Sequence, residues 1–201
     1  MVGKTMTVDE VLAEITKDTL FYDESRGGVT FSGGEPLMQP SFLIALLKAC
    51  GDLDLHRTVD TSGYADTKAL LKTASLAELF LYDLKHMDPE KHQRFTGVSN
   101  AKILANLKCL SRLKIEIAIR LPIVPGFNDD AQNIDRTGAF VSSLPGVSHL
   151  NILPYHCAAA AKYKSLGLNF RTADIGQPSR EYLESVARRL ENYHLNVKIG
   201  G

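Results

Sequence analysis

The segment VTFSGGEPLMQP, residues 29–40, decides the fold class that we expect for this chain. A short apolar strand, VTF, breaks into two glycines, a glutamate and a proline, and a helical pattern resumes after Pro40. One interpretation is an ordinary strand-to-helix turn, because glycine adopts positive φ and proline suits the start of the next element. The other interpretation is a binding loop. In that case the missing side chains let a ligand approach the backbone, and Glu35 accepts bonds from an ammonium group.

Strands and helices alternate along the rest of the chain. We expect strands at residues 29–31, 56–60, 78–83, 116–124, 149–155 and 196–199. We expect an amphipathic helix over residues 7–21, opened by the capping-box pair Thr7 and Glu10. Such alternation favours an α/β fold with a parallel sheet. The sequence shows no repeat or low-complexity tract, so we predict a single domain over residues 1–201.

Composition argues against several classes of partner. The 23 basic and 23 acidic residues give no net charge, which argues against nucleic acid or an anionic membrane as the main partner. No apolar run approaches the roughly 18 residues of a membrane span, and the first residues lack the apolar stretch of a signal peptide. The three cysteines form no CxxC pair. We therefore expect a cytoplasmic protein without disulfides.

Polar residues follow most of the predicted strands, at the end where α/β proteins bind their ligands. They are Glu35, Asp60, Asp83, Lys85, Arg120 and His156. Each has an ordinary structural alternative, such as a turn at Asp60 or a surface ion pair between Asp83 and Lys85. Their joint placement predicts a site.

The two aspartates suggest what the site holds. Asp83 and Lys85 lie two residues apart and so share a side of an extended segment. Carboxylates at neighbouring strand ends, such as Asp60 and Asp83, repel each other unless a cation lies between them. Thr61 offers a further oxygen of the kind that hard cations prefer. The pattern indicates a cation site.

The ordered set GGEP, DTSG, YDLK, IRLPIVPG and ILPYH resembles the radical S-adenosylmethionine activating enzymes, specifically glycyl-radical-enzyme activases of the pyruvate formate-lyase activating type. The resemblance implies a partial (β/α)6 TIM-like barrel. It implies a [4Fe–4S] cluster that cleaves S-adenosylmethionine to a 5′-deoxyadenosyl radical, and flavodoxin or ferredoxin as electron donor. The radical then removes a Cα hydrogen from a glycine of a partner enzyme.

Carried over by position, the resemblance assigns nine residues to S-adenosylmethionine. The amino group of its methionine part is assigned to Gly33, Gly34 and Glu35. A monovalent cation site beside its carboxylate is assigned to Asp60, Thr61 and Asp83. The carboxylate itself is assigned to Lys85 and Arg120, and the ribose or adenine end to His156.

The largest departure of the chain from the family concerns the cluster motif. The CxxxCxxC motif that ligates the cluster should precede TVDEVL, yet the first cysteine is Cys50, and Cys109 and Cys157 are too far apart to replace the motif. We therefore expect a truncated barrel that lacks the first strand and the cluster loop, and a chain that is inactive by itself. Two alternatives remain. The chain is a binding module without a cluster, or an aldolase-like enzyme that uses Lys85 as a Schiff-base nucleophile.

Overall fold

The computed structural model describes residues 4–155 and 175–200, which fall into two compact units. The first unit contains residues up to Tyr82 together with Ala101–Ile117. The second unit contains Asp83–Asn100 and the residues from Ala118 onward. The single domain expected from the sequence stays a prediction.

Six strands occur in the described residues, and their order in the sheet follows the chain. They are β1 (Gly28–Phe31), β2 (His56–Thr61), β3 (Leu79–Asp83), β4 (Glu116–Ile123), β5 (His149–Pro154) and β6 (Asn196–Ile199). The first three pair in parallel up to the unit boundary at Asp83, and the last three pair in parallel in the second unit. The strands and the parallel α/β class expected from the sequence are confirmed.

The helices lie between these strands, and most of them begin at a side-chain cap. They are α1 (Val8–Ile15), α2 (Thr19–Ser25), α3 (Pro40–Asp52), α4 (Thr67–Ala74), α5 (Pro89–Thr96), α6 (Ala101–Leu110), α7 (Ala131–Ser142) and α8 (Arg180–Glu191). The predicted capping box is confirmed, because Glu10 N–H donates to Thr7 Oγ1 at 3.2 Å and Thr7 N–H donates to the Glu10 carboxylate at 2.7 Å.

The prediction of one continuous helix over residues 7–21 is wrong. A 3₁₀ turn, Thr16–Asp18, separates α1 from α2. The Thr16 and Thr19 hydroxyls donate to the Ala13 and Thr16 carbonyls, at 3.2 and 2.8 Å. Such bonds from threonine back to the preceding turn bend or interrupt helices.

Alternation along β4 determines which side chains are available for a site. Ile119, Leu121 and Ile123 are buried on one face of the strand. Arg120 and Pro122 lie on the opposite face, because successive side chains of a strand point to opposite sides.

Across residues 4–155 and 175–200, no helix has the length and apolar character needed to cross a bilayer.

Candidate functional site

In the first unit, Glu35 holds the loops after β1 and β2 together. Its carboxylate accepts bonds from the Thr61 hydroxyl at 2.6 Å, from the Ser62 N–H at 2.9 Å and from the Ser62 hydroxyl at 2.6 Å. The Leu37 N–H donates to it at 3.2 Å. A carboxylate has about four lone-pair positions, so these four donors fill its acceptor capacity. Glu35 therefore organises the loop through its side chain.

The two glycines before Glu35 leave the backbone exposed. Gly33 has φ +130°, a conformation that side chains disfavour, and a Cβ on either Gly33 or Gly34 would meet open space. Only Gly33 is required as glycine by its backbone conformation. Because the Glu35 carboxylate is already bonded, the exposed groups of this loop that a ligand can reach are those of the main chain.

The predicted oxygen ligands after β2 also have hydrogen-bond partners. Asp60 accepts a bond from the Ser32 hydroxyl at 3.1 Å. Thr61 is buried, and its hydroxyl both donates to Glu35 and accepts from the Gly63 N–H at 2.9 Å. Ser62 and Ser32 were not singled out from the sequence, because serine next to glycine is typical of any turn.

In the second unit, Asp83 is flanked by two cations. Arg120 Nε and Nη2 contact Asp83 Oδ1 at 2.9 and 2.8 Å, and Lys85 Nζ lies 3.8 Å from Asp83 Oδ2. The shared side predicted for Asp83 and Lys85 is confirmed. The carboxylate and the guanidinium are about one fifth exposed, so water screens their attraction only in part. The three side chains together carry a net charge of +1.

A recess of about 300 Å³ lies beside Lys85 in the second unit. Aromatic and aliphatic side chains form much of its wall, namely Phe95, Pro122, Val124, Phe127 and Tyr155. The Phe95 and Phe127 rings are 3.8 Å apart between centroids. The recess thus offers an apolar surface next to the charged group at Asp83.

Buried asparagines brace the loops near these residues, and no pattern in the sequence predicts them. In the first unit, Asn106 donates to the Gly63 and Ala65 carbonyls at 2.8 and 3.0 Å. In the second unit, Asn100, Asn128 and Asn133 are 2–4% exposed and bond to the segments after β3 and β4. Asparagine in a loop is typical of an exposed turn, so burial of its amide is visible only in the structure.

His86, also beside the recess, is buried, and its Nδ1 accepts a bond from the Asp88 N–H at 2.9 Å. Burial lowers the pKa of His86, and the positive charge of Lys91 acts in the same direction. The carboxylates of Asp130 and Asp88 oppose this shift in pKa without overcoming it.

This lowered pKa predicts loss of stability in mild acid. Below the ordinary histidine pKa of 6.5, the unfolded chain binds a proton more readily at this position than the folded chain does. We therefore expect the His86 contribution to the free energy of unfolding to be complete above that pH and to fall as the pH decreases below it. His86→Asn keeps an acceptor for the Asp88 N–H and removes the titration. In urea unfolding at pH 5 to 8, it should flatten the dependence of the free energy of unfolding on pH. An equally steep profile for His86→Asn would contradict this assignment.

The remaining positions considered in the sequence are His156 and the three cysteines. His156 and Cys157 lie outside the described residues. Cys50 is buried and Cys109 is half-buried, as expected for structural thiols. Within residues 4–155 and 175–200, no group of three or more His, Cys, Asp or Glu side chains is placed to hold a metal ion. The described residues therefore do not fit a [4Fe–4S] cluster.

Comparison with known proteins identifies the family. Residues 2–137 match the family model of the radical SAM superfamily. The chain belongs to this superfamily. The predicted resemblance to glycyl-radical-enzyme activating enzymes is confirmed by relatives that match the chain over nearly its whole length.

Two of these relatives illustrate the match to radical SAM activating enzymes. The trans-4-hydroxy-L-proline dehydratase activating enzyme of Clostridioides difficile is 39% identical over 204 residues, covering 100% of this chain and 67% of that enzyme. The pyruvate formate-lyase-activating enzyme of Staphylococcus aureus is 39% identical over 192 residues, covering 92% of this chain and 76% of that enzyme. The chain spans 60–67% of the length of the first four relatives that it matches. The activity, substrate and partner of a whole enzyme are therefore proposals for this chain.

Solved structures agree with the radical SAM assignment. A crystallised domain of pyruvate-formate lyase-activating enzyme from Bacteroides vulgatus is 38% identical, with a TM-score of 0.73, and covers 87% of this chain and 99% of that domain. A radical SAM methyltransferase from Sphaerobacter thermophilus has a TM-score of 0.74 at 15% identity, covering 98% of this chain and 58% of the methyltransferase, which supports the fold alone. The predicted fold class is confirmed, and it is consistent with a partial TIM-like barrel.

Proposed function

We propose that this chain binds S-adenosylmethionine as part of an activating enzyme that installs a glycyl radical on a partner enzyme. The observation that carries the proposal is the group formed by Asp83, Lys85 and Arg120 at and near the carboxyl ends of β3 and β4. Two cations around one carboxylate complement the carboxylate of an amino-acid ligand. The adjoining recess offers an apolar wall for the less charged adenosyl part.

The family resemblance assigns the ligand ammonium to the loop that contains Gly33 and Gly34. A ligand ammonium is bound by acceptor groups, and the exposed carbonyls around Gly33 and Gly34 can supply them because no side chain covers them. The proposal assigns to Glu35 the task of fixing this loop against Thr61 and Ser62. The cation site at Asp60, Thr61 and Asp83 and the role of His156 stay predictions from the family resemblance.

Binding and orienting the cofactor are the tasks that we assign to these residues. In the activating enzymes that the chain resembles, a [4Fe–4S] cluster and S-adenosylmethionine together supply a radical that removes hydrogen. Since the described residues do not fit a cluster, we propose that the 201 residues alone do not form this radical. Anaerobic iron–sulfur reconstitution of the chain tests this, and a stoichiometric [4Fe–4S] spectrum would show the proposal to be wrong.

The proposal predicts that Asp83→Ala weakens S-adenosylmethionine binding by about tenfold or more. Asp83 orients Arg120 and Lys85, and loss of a residue that orients ligand-binding groups costs roughly 10- to 100-fold at metal sites, which sets the scale expected here. Isothermal titration calorimetry of the chain with S-adenosylmethionine measures the change.

Asp135→Ala is a matched control for that experiment. Asp135 is also an ion-paired aspartate of the second unit, with Arg189 at 2.6 Å, but this pair joins helices α7 and α8 and lies at no strand end. Its removal should leave the affinity unchanged. Equal affinities for wild type and Asp83→Ala would count against the assignment of the site.

The partner is proposed only as a class. The relatives are named activating enzymes for a hydroxyproline dehydratase, a sulfopropanediol dehydratase, a choline trimethylamine-lyase and pyruvate formate-lyase. Such different targets at 35–39% identity support a glycyl radical enzyme as protein substrate without selecting one. Flavodoxin or ferredoxin as electron donor, a cytoplasmic location and the lack of nucleic-acid or membrane partners stay predictions.

The exposure of the Lys85 side chain argues against the Schiff-base alternative. A nucleophilic lysine is typically activated in a desolvated apolar pocket or beside a second cation. Lys85 borders the apolar recess, but its side chain is 44% exposed, and its Nζ lies 3.8 Å from the Asp83 carboxylate. Borohydride trapping of a carbonyl compound at Lys85 would show that Lys85 forms a Schiff base and would support this alternative.

A further inference from the structure

Asn128 continues the hydrogen bonding between two strand ends with its side chain. The Asn128 amide donates to the Lys85 carbonyl at 2.8 Å and to the Pro122 carbonyl at 2.6 Å, and its oxygen accepts from the Val124 N–H at 2.8 Å. The residue is 4% exposed. Three of its four hydrogen-bonding positions are therefore committed to main-chain groups.

These bonds lie beyond a backbone bond between the two segments. Leu84 N–H donates to the Arg120 carbonyl at 2.9 Å, and Asn128 supplies the next connections, at Lys85 and at Pro122. Lys85 is one residue after the bonded Leu84, and Pro122 is two residues after Arg120. The side chain of Asn128 thus fixes the backbone from which both cations of the Asp83 group extend.

Asn128 is itself held in place. Its carbonyl accepts a bond from the Asn133 amide at 2.8 Å, and the Asn133 oxygen accepts from the Met87 N–H at 2.8 Å. Asn133 lies in helix α7, so this helix supports both Asn128 and the segment that follows β3. A buried amide with three bonds and its own support restricts motion more than an exposed one, because an unmade bond in the interior is costly.

We infer that Asn128 is a positioning residue for S-adenosylmethionine binding. It sets the separation of the Lys85 ammonium and the Arg120 guanidinium without contacting the ligand. The inference rests on the proposed function, since it assumes that these two cations bind the cofactor carboxylate.

Asn100 provides a matched comparison. It is 3% exposed and donates from its amide to two carbonyls of the same segment, His86 at 2.9 Å and Met87 at 3.0 Å. These carbonyls follow Lys85, and neither belongs to a residue of the Asp83 group. Asn100 and Asn128 thus share their chemistry and burial but differ in what they hold.

Asn128→Asp and Asn100→Asp test the inference. In each variant a carboxylate replaces the amide donor and faces two carbonyl oxygens, so both should unfold at lower urea concentration. Only Asn128→Asp should also weaken S-adenosylmethionine binding, by about tenfold, as is typical when a residue that orients a ligand-binding group is lost. Calorimetry at a temperature where both variants are folded measures the affinity. If Asn128→Asp does not fold, Asn128→Ser takes its place in the experiment. The serine removes the two bonds that the amide donates and adds no charge.

A double-mutant cycle with Lys85→Ala separates positioning from general destabilisation. If Asn128 acts through Lys85, Asn128→Asp should have a smaller effect on affinity in the Lys85→Ala chain than in the wild type. An undiminished effect, or equal losses for the Asn128 and Asn100 variants, would overturn the inference while leaving the proposed function in place. A wild-type chain that does not bind S-adenosylmethionine would overturn both.

Discussion

Gly63→Ala is expected to lower the free energy of unfolding by about 3 kcal/mol. Gly63 has φ +72°, a conformation that costs an alanine roughly 1 kcal/mol. An alanine Cβ there would also overlap the hydroxyl of Tyr82, a fully buried residue whose hydroxyl donates to the Ile103 carbonyl at 2.7 Å. Overpacking of this kind typically adds about 1–3 kcal/mol. Urea unfolding of the chain measures the loss.

Gly146→Ala is the control for Gly63→Ala. Its φ is +74°, nearly the same, but a Cβ at Gly146 would meet no atom within 4 Å. We expect it to lose only the conformational part, about 1 kcal/mol. Equal losses for the two glycines would mean that Tyr82 moves aside freely, which would contradict the tight packing of the loop after β2.

Glu35→Ala is expected to lower the free energy of unfolding by about 2–3 kcal/mol and to weaken S-adenosylmethionine binding. The change removes the acceptor for the buried Thr61 hydroxyl and for the Ser62 N–H and hydroxyl. Hydrogen bonds to a charged group contribute roughly 1.5–3 kcal/mol each, and bonds to one carboxylate do not add independently. Urea unfolding and calorimetry on the same protein give both quantities.

Glu35→Gln distinguishes support of the loop from direct contact with the ligand. It keeps the shape and one acceptor oxygen, but its NH₂ group would face the Ser62 donors or the Thr61 donor. If Glu35 acts through the loop, stability and affinity should decline together across the Ala and Gln variants. Loss of affinity at full stability would instead indicate that the carboxylate contacts the ammonium. Glu24→Ala, at an exposed position of α2, should change stability by less than about 0.5 kcal/mol.

Local patterns were sufficient to predict most of the fold from the sequence. The strands follow from short apolar runs that end in glycine or polar residues, and the first helix follows from Thr7 and Glu10. The break after Ile15 was not predictable from apolar periodicity, because it depends on whether the Thr16 and Thr19 hydroxyls bond backward or outward. Propensity alone does not decide between these two states.

The candidate site was predicted as a set of residues but not as a set of bonds. The Asp83–Lys85 contact follows from two-residue spacing in an extended segment, which the sequence shows directly. The pairing of Asp83 with Arg120 joins residues far apart in the chain, and it depends on the strand arrangement. The use of Glu35 as a loop brace and the burial of Asn128 depend in the same way on tertiary contacts.

The parallel pairing described within each unit has a consequence for how the chain acquires its structure during synthesis. Within each unit, a strand forms its backbone hydrogen bonds with the next strand along the chain. The parallel pairs are β1 with β2, β2 with β3, β4 with β5 and β5 with β6. A newly made strand therefore finds its template already outside the ribosome and needs no partner still to be translated. Closing such connections costs less entropy than pairing distant ends. We expect the strands to assemble progressively from the N-terminus within each unit, so that few unpaired strand edges are exposed at one time.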